Sequence, residues 1–212
     1  MTIPGREARF RGVLKRAFDL IVSSAALAVT SPLLLATAVA IKLDSKGPVF
    51  YRHLRVGKDG VPFRMLKFRS MVADADRLGG SLTVGGDPRI TRVGRFIRKW
   101  KIDELPNFVN VLRGEMSVVG PRGEDPRYVA LYTPEQRRVL SVKPGITDPA
   151  LTGIYRNEQE ILAGVDDPEA HYVNVILQDY LRMNLEYVER GPSLLRDLAI
   201  IARTAWAVLR AR

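Results

Sequence analysis

An adjacent pair of carboxylates, Asp103 and Glu104, follows a segment rich in arginine and lysine. Neighbouring side chains on regular backbone point in different directions, so one carboxylate could attack phosphorus while the other holds a metal ion. Carboxylates are known nucleophiles toward phosphoryl groups. Arg98 and Lys101 are close enough in sequence to keep Asp103 ionised and to balance phosphate charge. A simpler interpretation is that Asp103 caps the following helix and Glu104 occupies its first turn.

Three further segments have residue types that bind anions. Lys67 and Arg69 are two residues apart, which places them on one face of a strand. Residues 118–123 put Arg122 in a tight turn whose glycines allow close backbone approach, and residues 143–145 are similar. Each is also explained by a solvated basic residue. Neither a Walker A sequence nor G-x-G-x-x-G occurs, so P-loop and Rossmann nucleotide sites are not expected.

The composition narrows the classes of function. The chain has no cysteine and two histidines, which excludes disulfides, thiolate nucleophiles and cysteine-ligated zinc; any metal would be a hard ion on oxygen ligands. A net charge of +10 requires an anionic partner, either nucleic acid, anionic lipid or a phosphorylated substrate. The length of 212 residues predicts one compact domain over residues 1–212.

The elements that must position these residues begin with an apolar segment, residues 20–41, which carries no charge over 22 positions. As a straight helix it would rise about 33 Å, enough to cross the hydrocarbon core of a bilayer. A single membrane span is therefore one interpretation, and a secretory signal is another. Ser31 and Pro32 lie at the centre of the segment, however, and proline there removes a backbone donor and favours a break.

Basic residues flank the apolar segment equally. Five precede it and five follow: Arg6, Arg9, Arg11, Lys15 and Arg16, then Lys42, Lys46, Arg52, Arg55 and Lys58. Because basic flanks favour the cytoplasmic side, both ends are expected there. A helix–break–helix over about residues 12–44, with its hinge at Ser31 and Pro32, would enter the bilayer and return. From these features alone, re-entry and spanning both stay open.

The globular part, about residues 45–212, is predicted to be of α+β class. Residues 49–51 and 63–68 are β-rich runs around Gly57-Lys-Asp-Gly60, which predicts a β-hairpin. Residues 92–100 and 104–112 are predicted helices on either side of Asp103. Residues 169–190 have the apolar spacing of a long amphipathic helix, most simply one that faces the core.

The last predicted helix has two contrasting faces. Apolar residues share one face of this helix, namely Leu194, Leu195, Leu198, Ile201, Ala202, Ala205, Trp206 and Leu209. Three arginines spaced seven residues apart share the opposite face, namely Arg196, Arg203 and Arg210. This distribution is typical of a helix that lies on a membrane surface. A helix packed on the core with a solvated basic face would have the same pattern.

Eight segments, in order, resemble the bacterial sugar transferase family, the monotopic polyprenyl-phosphate phosphoglycosyl transferases. They are KRAFD at 15–19, SP at 31–32, GPVF at 47–50, KFRSM at 67–71, DPRITRVG at 87–94, IDELP at 102–106, GPR at 120–122 and KPGIT at 143–147. The resemblance covers about residues 12–205. One such segment could arise by chance, but eight in register are specific.

The resemblance implies a membrane enzyme with a re-entrant helix and a cytoplasmic globular part on the bacterial inner membrane. It implies that Asp103 attacks the β-phosphate of a UDP-sugar and releases UMP, while Glu104 binds Mg²⁺. Polyprenyl phosphate would then accept the phosphosugar, as the first membrane step of a glycoconjugate or exopolysaccharide pathway. The chain would be a catalytic core without a multi-span region, and a homodimer is compatible with it. Four positions match the family's anion-binding residues: Lys67, Arg69, Arg98 and Arg122.

The chain departs from the family pattern at four places in or near the expected site. Asn107 stands where glutamine is common, and Gly123 where proline is frequent. Lys99-Trp-Lys-Ile102 precedes the dyad in place of smaller residues, and Asp148-Pro-Ala150 stands where glycine and an apolar run are usual. Two other functions are weaker interpretations. A nucleic-acid-binding protein would leave the apolar segment unexplained, so no nucleic-acid partner is expected; a structural single-span anchor would place the N-terminus across the membrane from Asp103.

Overall fold

The computed structural model describes residues 4–78, 82–150 and 158–209. The helices, in chain order, are α1 (Pro4–Asp44), α2 (Ala75–Leu78), α3 (Arg92–Lys99), α4 (Asn107–Arg113), α5 (Pro126–Val129), α6 (Glu158–Ala163), α7 (Pro168–His171), α8 (Leu177–Glu189) and α9 (Leu194–Leu209). The strands are β1 (Phe50–Val56), β2 (Pro62–Phe68), β3 (Ser117–Val119) and β4 (Gly145–Thr147). Short 3₁₀ turns lie at Lys58–Gly60, Ile102–Glu104 and Gln136–Ser141, and a π-helical turn at Tyr172–Ile176 joins α7 to α8. The predicted mixture of helix and sheet is confirmed.

The predicted β-hairpin is present as β1 and β2. The two strands are antiparallel, with Phe50 opposite Phe68 and Val56 opposite Pro62. Asp59 and Gly60 both have positive φ angles, +58° and +78°, in the connecting turn. Aspartate and glycine tolerate this left-handed region better than most residues, which explains why the Gly-Lys-Asp-Gly sequence reverses the chain here.

Helix α1 runs through Ser31 and Pro32 without interruption, so the predicted break into two helices is not confirmed. Pro32 has no backbone N–H, which leaves the carbonyl of Ala28 without its usual helical donor. The Ser31 hydroxyl donates to that carbonyl oxygen over 2.8 Å. The hydroxyl of the preceding residue, Thr30, donates to the carbonyl of Ala26 over 2.7 Å. The serine thus replaces the missing backbone hydrogen bond, and the helix continues across the proline.

Among the described residues, the portion of α1 from Phe10 to Asp44 is the one helix long and apolar enough to cross a membrane, judged by length and composition. Many of its large apolar side chains are exposed, namely Leu20, Ile21, Val29, Leu33, Leu35, Val39 and Leu43. An apolar surface of this kind is unfavourable in water and is typical of a helix in contact with lipid.

The N-terminal half of α1 is fastened to the globular part. The Arg16 guanidinium donates to the main-chain carbonyls of Val111 and Leu112, at 2.6 and 2.9 Å, where α4 ends. The Asp19 carboxylate accepts from the Ser117 hydroxyl and from the backbone N–H of Val118, both at 3.0 Å. These contacts join the start of the apolar segment to α4 and β3.

The C-terminal end of α1 is fastened to the same globular part. Ile41 is buried in a cluster with Phe68, Ile97 and Ile102. The Asp44 carboxylate accepts from the backbone N–H at the start of α3, on Val93, over 3.1 Å. Both ends of the apolar segment are therefore held by the folded part of the chain.

The remaining core lies around α8 and around β3. The predicted apolar face of residues 169–190 is buried as expected, through Tyr172, Ile176, Leu177, Tyr180 and Leu181. A second cluster packs β2, β3 and α4 together through Phe63, Met65, Val111, Met116, Val118 and Val119. Strand β3 pairs in parallel with β4, with Ser117 opposite Gly145.

Helix α9 leaves much of its apolar face uncovered. Leu195, Leu198 and Trp206 are exposed, whereas Asp197 and Ile200 face the protein and are buried. The face predicted to meet a membrane is thus available at the surface. Its membrane contact stays a prediction.

Candidate active site

The Asp103-Glu104 pair occupies the 3₁₀ turn between α3 and α4. Lys101, the residue before this turn, has a left-handed conformation with φ +55°, and so redirects the chain after α3. Asp103 is only 7% exposed, whereas the Glu104 side chain is 27% exposed. The two adjacent carboxylates therefore lie in different environments, as their adjacency predicts.

Glu104 forms an ion pair with Lys67, near the end of β2. The Lys67 ammonium donates to Oε1 of Glu104 over 2.8 Å. Burial alone would raise the pKa of Glu104, but the positive charges of Lys67 and Lys101 outweigh that effect and hold the pKa well below its usual range. Glu104 is consequently ionised at neutral pH.

Asp103 is in the opposite electrostatic situation. Burial, with the negative charge of Glu104 beside it, raises the pKa of Asp103 to about 6, although Lys67, Lys101 and Arg98 act against the rise. Its Oδ1 atom is buried and has no hydrogen-bond partner among the described residues. A carboxylate of raised pKa that is still ionised at neutral pH, with one oxygen unengaged, has the properties of a nucleophile.

A narrow cleft adjoins Glu104 and Lys67. Ten residues line it: Arg55, Met65, Lys67, Glu104, Asn107, Arg122, Gly123, Gly145, Ile146 and Asp148. Three of these are cationic and two are carboxylates. The surplus of positive side chains suits a cleft that receives phosphate groups.

Two tight turns cross at the wall of this cleft. The N–H of Gly145 donates to the carbonyl of Pro121 over 2.9 Å, and the N–H of Gly120 donates to that of Thr147 over 3.1 Å. A Cβ atom on Gly120 would lie 2.5 Å from the Lys143 carbonyl oxygen, so only glycine allows the approach. The crossing places Arg122 at the cleft.

Arg122 is surrounded by acidic and aromatic groups. Its guanidinium lies 3.7 Å from Glu158 and 4.0 Å from Glu124, with the Tyr180 ring centroid at 5.9 Å. Its backbone N–H donates to Asp148 over 3.1 Å. This arginine is held by several partners and is still part of the cleft wall.

Two other predicted anion-binding residues do not line the cleft. Arg69 is buried and donates to the main-chain carbonyls of Lys46 and, over 2.8 Å, Ser45, just after α1. Arg98 donates to the Ser70 hydroxyl over 3.3 Å and is near enough to Asp103 to lower its pKa. The structure therefore brings Lys67 and Arg122 to the cleft with Glu104. Arg98 lies outside the cleft lining but near Asp103. Arg69 instead holds the chain segment that follows α1.

Sequence reasoning did not single out Arg55. This arginine pairs with Glu124 over 2.8 Å in the cleft wall, and the Tyr172 hydroxyl donates to the other oxygen of Glu124 over 2.7 Å. The partners are 69 and 48 residues apart, so no local pattern could have shown this group. In the sequence, Asp148 is distinguished only as a departure from the family pattern. In the structure it is buried in the cleft wall, and burial raises its pKa to about 6.

Comparison with known proteins identifies relatives of the chain. Residues 10–211 match the family described as bacterial sugar transferase. Over 139 residues the chain is 46% identical to a UDP-N-acetylgalactosamine-undecaprenyl-phosphate N-acetylgalactosaminephosphotransferase of Aeromonas hydrophila, which covers 63% of this chain and 32% of that protein. The chain thus spans about a third of the length of that relative.

Two further relatives are aligned over more of their own length. A UDP-glucose:undecaprenyl-phosphate glucose-1-phosphate transferase of Caulobacter vibrioides is 36% identical over 198 residues, which cover 92% of this chain and 69% of that protein. The exopolysaccharide production protein PSS of Rhizobium leguminosarum bv. phaseoli is 47% identical over 142 residues, 64% of this chain and 71% of that protein. The names of the first two of these three relatives specify different sugars.

Proposed function

The chain belongs to the bacterial sugar transferase family, and on that premise we propose that it transfers a sugar-1-phosphate from a UDP-sugar to polyprenyl phosphate, with undecaprenyl phosphate as the acceptor. The products are polyprenyl-diphospho-sugar and UMP. The observation that carries the proposal is the buried Asp103 carboxylate, one oxygen of which has no partner among the described residues, beside an ionised Glu104 at a cationic cleft. Relatives named for the same type of transfer support it.

The first step joins the enzyme to the sugar phosphate. A carboxylate oxygen of Asp103 attacks the β-phosphorus, the bond from that phosphorus to the bridging oxygen breaks, and UMP leaves with the bond electrons. The product is an aspartyl-phosphosugar. Burial favours this attack because a desolvated carboxylate of raised pKa is more nucleophilic than one in water.

The second step passes the phosphosugar to the lipid. A phosphate oxygen of polyprenyl phosphate attacks the same phosphorus, and the bond to Asp103 breaks and restores the carboxylate. A covalent intermediate allows a water-soluble donor and a membrane-bound acceptor to use one site in turn. The family relationship to a protein named for exopolysaccharide production supports a place in such a pathway.

The cleft cations would bind and orient the phosphates. Lys67 and Arg122, which line the cleft, would contact the donor diphosphate, and Arg98 would balance charge at Asp103. Arg69 would contribute to phosphate binding only indirectly, because its guanidinium donates to main-chain carbonyls after α1. Positive groups fixed in a partly buried site stabilise phosphoryl transfer without rearranging during the reaction.

The oxygen donors at the site fit Mg²⁺. Glu104 would hold it, although no cluster of three His, Cys, Asp or Glu side chains occurs within the described ranges. Mg²⁺ commonly binds one or two carboxylates and completes its shell with waters and substrate phosphates, so a larger cluster is not required. When bound, the ion would neutralise charge on the phosphates.

We propose that α1, although helical throughout, bends at Ser31 and Pro32, so that it enters one leaflet of the inner membrane and returns, with the globular part facing the cytoplasm. Contacts at Arg16 and Asp19 before the apolar segment, and at Ile41 and Asp44 after it, tie both flanks to one folded unit. A helix that crossed the bilayer would separate those flanks by a hydrocarbon core of about 30 Å. The equal basic flanks support the same arrangement.

A single-turnover experiment tests the transfer. Protein incubated with UDP-sugar and Mg²⁺, but no lipid, should release up to one equivalent of UMP and gain the mass of a phosphosugar on Asp103. Asp103→Asn and Glu104→Gln should release none or far less, while Asp59→Asn in the hairpin turn should behave as wild type. Normal turnover by either dyad variant would refute the assignment, and a panel of UDP-sugars would identify the donor.

Cysteine labelling tests the membrane arrangement. The chain has no native cysteine, so Thr2→Cys can be labelled without background. In inverted vesicles an impermeant reagent should label Thr2→Cys and the control Lys58→Cys to the same extent. Protection of the first alone would place the N-terminus in the periplasm and would support a spanning anchor instead.

A further inference from the structure

A second buried oxygen without a hydrogen-bond partner among the described residues lies at the start of α4, just after the turn that carries the catalytic carboxylates. Asn107 is 2% exposed, and its Oδ1 atom, like Oδ1 of Asp103, has no hydrogen-bond partner in the described part of the chain. Buried side-chain oxygens nearly always have a donor or a cation beside them, and each exception requires an explanation. We propose that Asn107 is a ligand of the divalent cation that we assign to Glu104.

The backbone places Asn107 next to the dyad. From Ile102 to Arg113 the chain is helical, because Leu105 and Pro106 between the 3₁₀ turn and α4 both have right-handed helical angles. Residues three apart eclipse one another along 3₁₀ geometry, and those four apart share a face of an α-helix. Asn107 is three residues after Glu104 and four after Asp103. Glu104 and Asn107 also line the same cleft.

No local structural role accounts for the Asn107 oxygen. Asn107 is the first residue of α4, after Pro106, and its Oδ1 accepts no hydrogen bond from a backbone N–H of that helix, so the oxygen does not serve as a cap. Asn110, one turn later, is different: its oxygen accepts from the Leu66 N–H, and its NH₂ group donates to the Arg64 carbonyl and to Glu115. The same helix thus contains one buried asparagine with all its polar atoms partnered and one whose oxygen meets no donor in the part of the chain that the structure describes.

The chemistry of the oxygen favours a cation over an anion. An amide carbonyl only accepts hydrogen bonds, as phosphate oxygens do, so it cannot bind the donor diphosphate directly. Mg²⁺ and Mn²⁺ are hard cations that prefer carboxylate, carbonyl and water oxygens as ligands, and the amide oxygen of asparagine is a neutral carbonyl. Oε1 of Glu104 is engaged by Lys67, which leaves Oε2 for the cation. A neutral amide adds a further ligand without placing another negative charge beside Asp103.

The proposal rests on the proposed function, and binding of Mn²⁺ tests it without requiring turnover. Free Mn²⁺ is measured by electron paramagnetic resonance during titration of the full chain in detergent micelles or nanodiscs. We expect Asn107→Leu to weaken Mn²⁺ binding at least tenfold and Asn107→Asp to retain or strengthen it. Asn184→Leu is the matched control, because it also removes a buried, unpartnered amide oxygen outside this turn, and it should bind Mn²⁺ as wild type does.

A cysteine variant gives an independent measurement. Asn107→Cys would place a thiolate at the proposed ligand position in a chain with no other cysteine. Because thiolates prefer soft metals, this variant should gain Cd²⁺ affinity and show a thiolate-to-cadmium charge-transfer band that Asn184→Cys lacks. Circular dichroism identifies any variant that fails to fold, and the folded cysteine variant then decides the question.

The outcomes separate the two proposals. Wild-type Mn²⁺ affinity in folded Asn107→Leu, with binding lost in Glu104→Gln, would overturn the role of Asn107 and leave the proposed function standing. An Asn107→Leu protein that binds Mn²⁺ normally but has a raised KM for UDP-sugar would show that the oxygen accepts from the substrate instead. Failure of the wild-type protein to retain Mn²⁺, or of Glu104→Gln to weaken it, would overturn the cation site itself, whereas UMP release tests Asp103 separately.

Discussion

Replacing Lys15 by methionine removes a cation that lies between two buried carboxylates. The Lys15 ammonium is 3.3 Å from Asp19 and 2.9 Å from Asp197, and all three side chains are largely buried. Asp19 also accepts from β3, and Asp197 accepts from the Tyr187 hydroxyl over 2.9 Å. This group joins α1, β3 and α9, and β3 leads directly into the turn that carries Arg122.

The expected cost follows from the charges left behind. Removing one partner of a buried ion pair typically costs about 3–5 kcal/mol, because the remaining charge is desolvated without compensation. For a chain of this size, each kcal/mol lowers the melting temperature by about 2–4 °C, so Lys15→Met should lower it by roughly 6–20 °C. Thermal unfolding in one detergent, followed by circular dichroism, measures the shift.

Two companion variants identify the cause. Lys15→Arg keeps the charge and should lose much less stability than Lys15→Met. Adding Asp197→Asn to Lys15→Met removes one stranded carboxylate and should recover at least about 1 kcal/mol. If Lys15→Met melted within about 2 °C of wild type, or if the second substitution made it still less stable, the buried-charge reasoning would be wrong.

Three other substitutions test separate parts of the structure. Ser31→Ala should lower the free energy of unfolding by about 1–3 kcal/mol in denaturant unfolding, because the Ala28 carbonyl loses the hydroxyl that replaces its helical donor. In a Pro32→Ala background the same substitution should cost almost nothing. Equal costs in both backgrounds would contradict the conclusion that the serine replaces the hydrogen bond lost at the proline. Arg69→Met should lower the melting temperature but leave the KM for UDP-sugar unchanged. Lys67→Met, in contrast, should raise that KM. A raised KM in Arg69→Met would support the prediction that Arg69 binds substrate. Burial, followed by the charges of Arg55 and Lys67, lowers the pKa of His53 from 6.5 to about 3. The unfolded chain therefore binds a proton at this histidine more readily than the folded chain does. As a result, the free energy of unfolding falls as the pH falls from about 6.5 toward 3. His53→Gln should remove that part of the pH dependence and the control His171→Gln should not, as urea unfolding at several pH values would show.

Much of the local structure was predictable because the signals are local. The hairpin followed from two β-rich runs around a turn with glycine and aspartate, and the core face of α8 followed from apolar spacing. The break at Ser31 and Pro32 was expected from proline alone. The expectation did not include the serine hydroxyl, which supplies the missing hydrogen bond and lets α1 continue.

The site was predictable in its residue types but only partly in its arrangement. Lys67 and Arg69 are equivalent by spacing, yet Lys67 meets Glu104 and Arg69 turns to the carbonyls after α1. Asn107 was distinguished in the sequence only as an unusual residue beside the dyad. That its oxygen has no hydrogen-bond partner among the described residues is a property of the fold, which the sequence does not show.

By itself, the sequence determined the adjacent carboxylates, the cationic surplus, the apolar segment with its basic flanks, and the turns, because hydropathy and backbone preference depend on near neighbours along the chain. Only the tertiary structure decided that Asp103 is buried while Glu104 is paired, and that Arg55 joins the cleft wall through Glu124. Lys67 and Glu104 are 37 residues apart and Arg55 and Glu124 are 69 apart. Desolvation and Coulomb energies depend on distance through space, which only the folded path of the chain sets.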